Sequence, residues 1–170
     1  NVNELFNKLV ELGQHPIAKT DTITVMERIG HFLDNEVEEC YRRLKQEGIS
    51  KREASPLIME QLDMVKVLKK AAARWDGGYA MAGIVGHGVS FVIRDPAAIR
   101  PAYYYKDDEV VVVASERAVI QTAFNAPFEQ VEELPAGAAI LIKRDGSSQI
   151  EQILEPTERK ACSFERIYFS

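Results

Sequence analysis

The sequence predicts an α+β protein with antiparallel strands, and two observations carry this prediction. Up to about residue 75, apolar residues recur at the three- and four-residue spacing of amphipathic helices. After Asp76-Gly77-Gly78, short runs rich in Val, Ile and Tyr are separated by turn residues. Because the helices precede the strands and do not alternate with them, a layered α+β fold is favoured over a doubly wound parallel sheet. We therefore divide the chain into a helical half, about 1–75, and a strand half, about 76–170.

The first part of the helical half predicts three helices. One follows Asn3, a good N-cap, and ends at Gly13. A second begins at Thr20-Asp21-Thr22 and ends near Asp34, and a third covers 37–44 and stops at Gly48.

A further helix is predicted from its start signals. Ser50 and Glu53 form a capping-box pattern, and Ser55-Pro56 offers a second start with proline at the tolerated first position. From there the apolar spacing predicts one long amphipathic helix that ends near Trp75.

The strand half predicts an antiparallel meander interrupted by one short helix. The predicted strands are 79–85, 89–94, 102–105, 110–114, 139–143, 149–154 and 164–169. The short helix covers 116–124, with Ser115 as its expected cap.

Composition narrows the classes of protein and partner. The chain has 170 residues, 46% hydrophobic and 28% charged, the balance of a soluble globular domain. Its formal net charge of -5 argues against nucleic acid as a partner, since phosphate binding needs a basic face. No apolar stretch is long enough to cross a membrane, and no secretory signal is visible.

The cysteines indicate a reducing, cytoplasmic setting. Cys40 and Cys162 are the only two, and they have neither disulfide density nor zinc-site spacing. Cys40 lies on the apolar stripe of a predicted helix, and Cys162 has no histidine nearby in sequence. Neither has the local features of an activated nucleophile.

Glycines around residue 87 do not predict a nucleotide site. Gly83, Gly86 and Gly88 fail the GxGxxG spacing and precede a predicted strand, so no helix N-terminus follows them. We interpret them as a tight hairpin around His87, to which we assign no chemistry.

Two guanidinium groups flank one carboxylate in the motif Arg94-Asp95-Pro96, which leads to Ile99-Arg100-Pro101. One interpretation is an anion clamp, because arginine grips carboxylate or phosphate with paired hydrogen bonds. The other, favoured by residue types alone, is a rigid loop locked by an internal Arg and Asp pair.

Asp21 also has two interpretations. An aspartate at a helix start usually caps free backbone N–H groups. The alternative is a carboxylate that receives a ligand's ammonium group, and the residues alone do not separate the two.

Taken together, several motifs resemble the glutaminase domain of amidophosphoribosyltransferase, the enzyme that begins purine synthesis. In the family's order they are Thr20-Asp21-Thr22, Gly86-His87-Gly88, Arg94-Asp95-Pro96 with Ile99-Arg100-Pro101, Ala114-Ser115-Glu116, Leu134-Pro135-Ala136-Gly137, and the segment from Cys162 to Phe169.

The resemblance implies an N-terminal nucleophile hydrolase fold, a layered α/β/β/α sandwich that is incomplete at its N-terminus here. In that family an N-terminal cysteine attacks the side-chain amide of glutamine, and an Asn-Gly pair stabilises the oxyanion. The ammonia passes to a phosphoribosyltransferase domain downstream, which uses Mg²⁺ and phosphoribosyl pyrophosphate. The resemblance places the catalytic cysteine, a carboxylate-binding arginine and the Asn-Gly pair upstream of Asn1, so the chain has no catalytic residue of its own and is expected to be inactive alone.

For individual residues, the resemblance implies that Asp21 holds the α-amino group of substrate glutamine. Cys162 occupies a position where some members ligate an iron–sulfur cluster, although a packed cysteine is the commoner case. Tyr168 would face the junction with the next domain. At Ala98 the family usually has glycine, so a backbone geometry suited to glycine is expected there.

Two alternatives remain open. Ala98 and the missing nucleophile also fit a non-catalytic relative that binds or regulates. A class II amidotransferase that delivers ammonia to a different acceptor is the other. Strands that would normally pair with the absent N-terminal segment would have exposed edges, and such edges would favour a homo-oligomer.

Overall fold

The computed structural model describes residues 2–14, 16–86 and 88–168, and it confirms the α+β class with antiparallel sheets. Contacts divide the chain into two compact units, one up to Trp75 and one from Asp76 onward. Across the described residues, none of the helices combines the length and apolar character needed to span a membrane.

The described residues of the helical unit form four helices. They are α1 (Val2–Glu11), α2 (Asp21–Gln46), α3 (Lys51–Gln61) and α4 (Met64–Ala72). The predicted helix end near Asp34 is wrong, because α2 runs unbroken for 26 residues. Neither Pro nor Gly occurs from His31 to Gln46, and the apolar stripe continues from Leu33 through Cys40 to Leu44, so nothing stops the helix.

The predicted long helix ending near Trp75 is wrong in the opposite sense. The Ser50–Glu53 capping box is confirmed and starts α3, so Pro56 lies inside this helix and does not begin one. Helix α3 ends before Leu62, its C-cap. The Asp63 carboxylate then accepts a hydrogen bond from the Lys66 N–H at 2.9 Å and caps α4. Apolar spacing runs through this break, whereas the capping side chain decides where the new helix begins.

The core between α2 and α3 consists of Cys40, Leu44, Ala54 and Ile58. Beside it, the buried carboxylate of Glu36 lies 2.6 Å from Lys66 Nζ, which also lies 2.7 Å from Glu39. These hydrogen bonds raise the pKa of Lys66 above its ordinary value. The burial of Cys40 supports its interpretation as a packed residue.

In the second unit, the described residues form two antiparallel sheets. The strands are β1 (Ala80–Ile84), β2 (Ser90–Arg94), β3 (Tyr103–Lys106), β4 (Val111–Ala114), β5 (Glu132–Glu133), β6 (Ala138–Ile142) and β7 (Ser148–Gln152). One sheet has the order β1-β2-β6-β7 and the other β4-β3-β5. The two-residue strand β5 was not predicted, because Glu132 and Glu133 show no apolar alternation.

Two apolar clusters show how the sheets and one helix of this unit pack on one another. Side chains of both sheets share the cluster built on Ala102, Leu134, Ala138 and Ile140. The opposite face of β3 and β4 packs on α5 (Arg117–Phe124) through Tyr105 and Ile120. The three-stranded sheet therefore lies between α5 and the four-stranded sheet.

Two further predictions in this unit are wrong. Ser115 does not cap α5, since the N-cap is Glu116 and its side chain makes no cap bond. The predicted strand 164–169 is instead the helix α6 (Ser163–Tyr168), and Phe169 lies outside the described residues. The alternating apolar residues suggested a strand, but Phe164 and Ile167 are 74% and 75% exposed, so they are not packed as the buried face of a strand would be.

Tyr104 on β3 is expected to lose its hydroxyl proton at a higher pH than an ordinary tyrosine. Its hydroxyl donates to Glu132 at 2.9 Å, and burial together with this bond raises its pKa to about 12. Because the unfolded chain loses this proton nearer pH 10, the stabilising contribution is complete below that pH and is lost as pH rises toward 12.

The measurement is tyrosinate absorbance against pH for the native protein and for Tyr104→Phe. We expect the difference curve to titrate near the upper end of this range. A difference curve centred near pH 10 would contradict the assignment.

Candidate functional site

The loop after β2 is organised around the carboxylate of Asp95, which is fully buried. Its oxygens accept backbone N–H groups at 2.9–3.3 Å from Tyr79, Ala97, Ile99 and Arg100. A buried carboxylate is costly unless it is hydrogen-bonded, and here the loop backbone supplies the donors. Asp95 therefore holds the loop in shape.

The guanidinium of Arg94 is the second organiser of this loop and is 3% exposed. It donates to the carbonyl oxygens of Arg100 at 2.7 Å, Leu134 at 2.6 Å and Ala98 at 3.4 Å. Its Nη2 also lies 2.8 Å from Glu133. Because the guanidinium N–H groups of Arg94 are paired within the protein, Arg94 acts as part of a rigid loop and not as an anion clamp. The detail differs from the prediction, because backbone groups and Glu133 provide these locking contacts.

Ala98 lies at the turn of the same loop with φ +49° and is buried. The expectation of a glycine-type backbone at this position is confirmed. A non-glycine residue in the left-handed region is disfavoured, and here the hydrogen bonds to Asp95 and Arg94 on both sides hold it in place.

A cavity of about 460 Å³ opens beside this loop, within the sheet unit. Its walls come from the loop of Arg94 and Ala98, from the start of α5 at Ser115 and Glu116, and from the segment that ends in Cys162. Motifs that are far apart in the sequence thus meet around one space.

The segment before Cys162 is fastened to the loop through its backbone. Thr157 N–H donates to Pro96 O and Lys160 N–H to Ala97 O, both at 2.8 Å. The Arg159 guanidinium lies 3.1 Å from Glu133, the carboxylate that also pairs with Arg94. Glu133 was missed in the sequence, where no local pattern marks it, because its partners are distant along the chain.

Asp21 lies in the helical unit as the first residue of α2, and its side chain is exposed. The N-cap of α2 is Thr20 and not Asp21, because the Thr20 hydroxyl oxygen accepts a hydrogen bond from the Ile23 N–H at 3.4 Å. The Asp21 carboxylate complements the positive end of the helix and faces solvent, where a ligand's ammonium group would meet it. Its role in binding glutamine stays a prediction.

The other candidates are placed as follows. Cys162 is half-buried on the cavity wall, and within the described ranges no group of three or more His, Cys, Asp or Glu side chains is suited to hold a metal ion. An iron–sulfur role for Cys162 would need ligands from elsewhere, so the described residues alone do not fit a cluster. His87 lies outside the described residues, and nothing in the structure bears on the side chain of Tyr168.

Comparisons with known proteins agree with the motifs. The sequence model of the family described as "Glutamine amidotransferase domain" matches residues 2–122. The amidophosphoribosyltransferase of Haemophilus influenzae is 31% identical over 117 residues, which cover 66% of this chain and 22% of the relative. That of Methanothermobacter thermautotrophicus is 24% identical over all 170 residues and 30% of its own length.

A solved structure with the same fold is the glutamine phosphoribosylpyrophosphate amidotransferase from B. subtilis complexed with ADP and GMP. It superposes with a TM-score of 0.51 at 23% identity, covering 79% of this chain and 30% of that one. This likeness confirms the predicted N-terminal nucleophile hydrolase type of fold.

The chain belongs to the glutamine amidotransferase domain family. Within it, the relatives and the matching fold confirm the resemblance to the glutaminase domain of amidophosphoribosyltransferases. The chain spans between 22% and 30% of the length of these relatives. The family match ends at residue 122, so the assignment of 1–170 to one partial domain stays a prediction.

Proposed function

We propose that this chain is part of a glutaminase domain whose parent protein hydrolyses glutamine and passes the ammonia to phosphoribosyl pyrophosphate, making phosphoribosylamine. The observation that carries the proposal is the family match over residues 2–122. The relatives named amidophosphoribosyltransferase support this acceptor. The nucleophile and the oxyanion donors would be supplied by parts of the parent outside these residues.

In this proposal Asp21 recognises the amino acid. Its exposed carboxylate, at the first turn of α2, would accept charge-assisted hydrogen bonds from the α-ammonium group of glutamine. Such a contact orients the substrate without touching the amide that reacts, so it affects binding more than chemistry.

The test is the Asp21→Asn substitution in the full-length parent, measured by glutamate release from glutamine. We expect KM for glutamine to rise about 10- to 100-fold with a smaller change in kcat, since a hydrogen bond to a charged group is worth roughly 1.5–3 kcal/mol. Asp34→Asn is the matched control, because Asp34 is an exposed acid on the same helix. An unchanged KM in Asp21→Asn would remove Asp21 from the site.

The rest of the parent's activity follows as proposals. A phosphoribosyltransferase domain downstream would use Mg²⁺, the protein would act in the cytoplasm, and it would assemble as a homo-oligomer. If the parent releases glutamate but does not consume phosphoribosyl pyrophosphate, a different ammonia acceptor is the correct reading.

The structure weakens one of the two arguments for a non-catalytic relative. Ala98 was a reason to suspect a changed loop, yet its backbone adopts the left-handed conformation, and the Arg94 and Asp95 contacts around it are complete. Inactivation of the parent by a thiol-directed glutamine analogue would support the enzyme, and resistance combined with no glutamate release would support the binding module.

A further inference from the structure

Asp21, the residue proposed to bind glutamine, is not among the residues that line the cavity in the sheet unit. At about 460 Å³ the cavity falls within the size range of small-molecule sites. Polar and charged side chains from four separate segments line it, and these charges indicate what kind of ligand it suits.

A shared carboxylate leaves positive charge at the cavity wall. Arg94 Nη2 and Arg159 Nη2 lie 2.8 Å and 3.1 Å from the same oxygen, Oε1 of Glu133. Two guanidinium groups thus divide one negative charge. Arg94 is buried and held by backbone carbonyls, so it cannot turn toward a ligand.

Unlike Arg94, Arg159 has an exposed guanidinium that a ligand can reach. Its side chain is 62% exposed, and among the described residues its contact is with Glu133. An exposed ion pair of this kind contributes little, so exchanging or sharing it with a ligand costs little. The backbone of its segment is fixed by Thr157 and Lys160, which keeps the guanidinium beside the cavity.

The remaining charges at the wall do not cancel this excess. Arg117 donates to the carbonyl oxygens of Phe128 and Val131 and lies over the rings of Tyr103 and Phe128, and Glu116 supplies one further carboxylate. Three arginines and two glutamates therefore line the cavity. The wall is net positive on a chain whose formal net charge is -5.

We propose that this cavity binds a small molecule through an anionic oxygen group, a carboxylate or a phosphate, with Arg159 as the gripping side chain. The planar guanidinium offers paired N–H donors that match either group. The inference does not depend on the proposed glutaminase activity, because that proposal assigns no role to any of these residues.

Cys162 provides a local readout, because it lies on the cavity wall whereas Cys40 is fully buried. The experiment follows the alkylation rate of Cys162 by neutral iodoacetamide in the full-length protein, using peptide mass spectrometry. Inorganic phosphate and acetate are titrated separately at constant ionic strength. Calorimetric titration with the same anions is the second measurement and decides the matter if Cys162 does not react.

We expect saturable protection of Cys162, with apparent affinity weakened about tenfold or more in Arg159→Ala. Arg42→Ala is the control, because Arg42 is likewise exposed and paired with one glutamate, Glu38. Protection by phosphate alone or by acetate alone identifies the group, and protection by both supports the shared chemistry. Absence of binding for both anions, or equal weakening in Arg159→Ala and Arg42→Ala, overturns the proposal.

Discussion

Gly137→Ala is expected to lower the free energy of unfolding by about 3 kcal/mol or more, the sum of a strained backbone and an unrelieved clash. Gly137 has φ +70°, and an added Cβ would lie 2.3 Å from the carbonyl oxygen of Leu154. The obstacle is backbone, so it cannot rotate away like the end of a flexible side chain. Moreover, the Gly137 carbonyl accepts from the Ile153 and Leu154 N–H groups at 3.0 Å, so relief of the clash would break these bonds.

The matched control is Gly146→Ala. Gly146 has φ +82° but no atom within 4 Å of an added Cβ, so only the left-handed backbone penalises alanine there, by about 1 kcal/mol. Denaturant unfolding of the two variants and the parent measures the difference. Equal losses in the two variants would show that the close approach at Gly137 has no energetic weight.

Asp95→Ala is expected to have a comparable or larger effect, a loss of about 4 kcal/mol, because its buried carboxylate serves four part-buried N–H donors at once and a donor left without an acceptor costs roughly 1–3 kcal/mol. The N–H groups of Ala97, Ile99 and Arg100 would lose their acceptor together. Since this loop also supports Arg94, the cavity should lose its shape along with the stability.

Asp145→Ala is the comparison for this second substitution. Asp145 accepts from the backbone N–H and the hydroxyl of Ser147 in an exposed turn, where water replaces the lost acceptor. We expect a loss of about 1 kcal/mol or less there. Thermal and denaturant unfolding measure both variants, and a loss at Asp95 no greater than at Asp145 would contradict the organising role of Asp95.

Local patterns predicted most of the secondary structure, and the errors have physical causes. The alternation of Val, Ile and Tyr located six of the strands within a few residues, because half-buried strands repeat every two residues. The same alternation failed at 164–168, where the described part of the segment is helical and belongs to neither sheet. The break expected at Asp34 failed because polar residues on the exposed side of a helix do not end it.

The candidate site divides in a similar way. The rigid loop around Asp95 was predicted from the residues themselves, because it depends on residues a few positions apart. The glycine-type backbone at Ala98 was expected from the family resemblance and not from its neighbours. Asp21 was also singled out from its place at a helix start, and its role awaits the kinetic test.

Part of the short-range order, such as the Ser50–Glu53 capping box and the periodicity of the strands, is encoded in neighbouring residues and was predicted from the sequence alone. The pairing of Glu133 with both Arg94 and Arg159, and the cavity they border, arose only when distant segments were brought together. Opposite charges attract wherever the fold places them, and in the unfolded chain Glu133 has no reason to prefer these two arginines among the 21 lysines and arginines of the sequence.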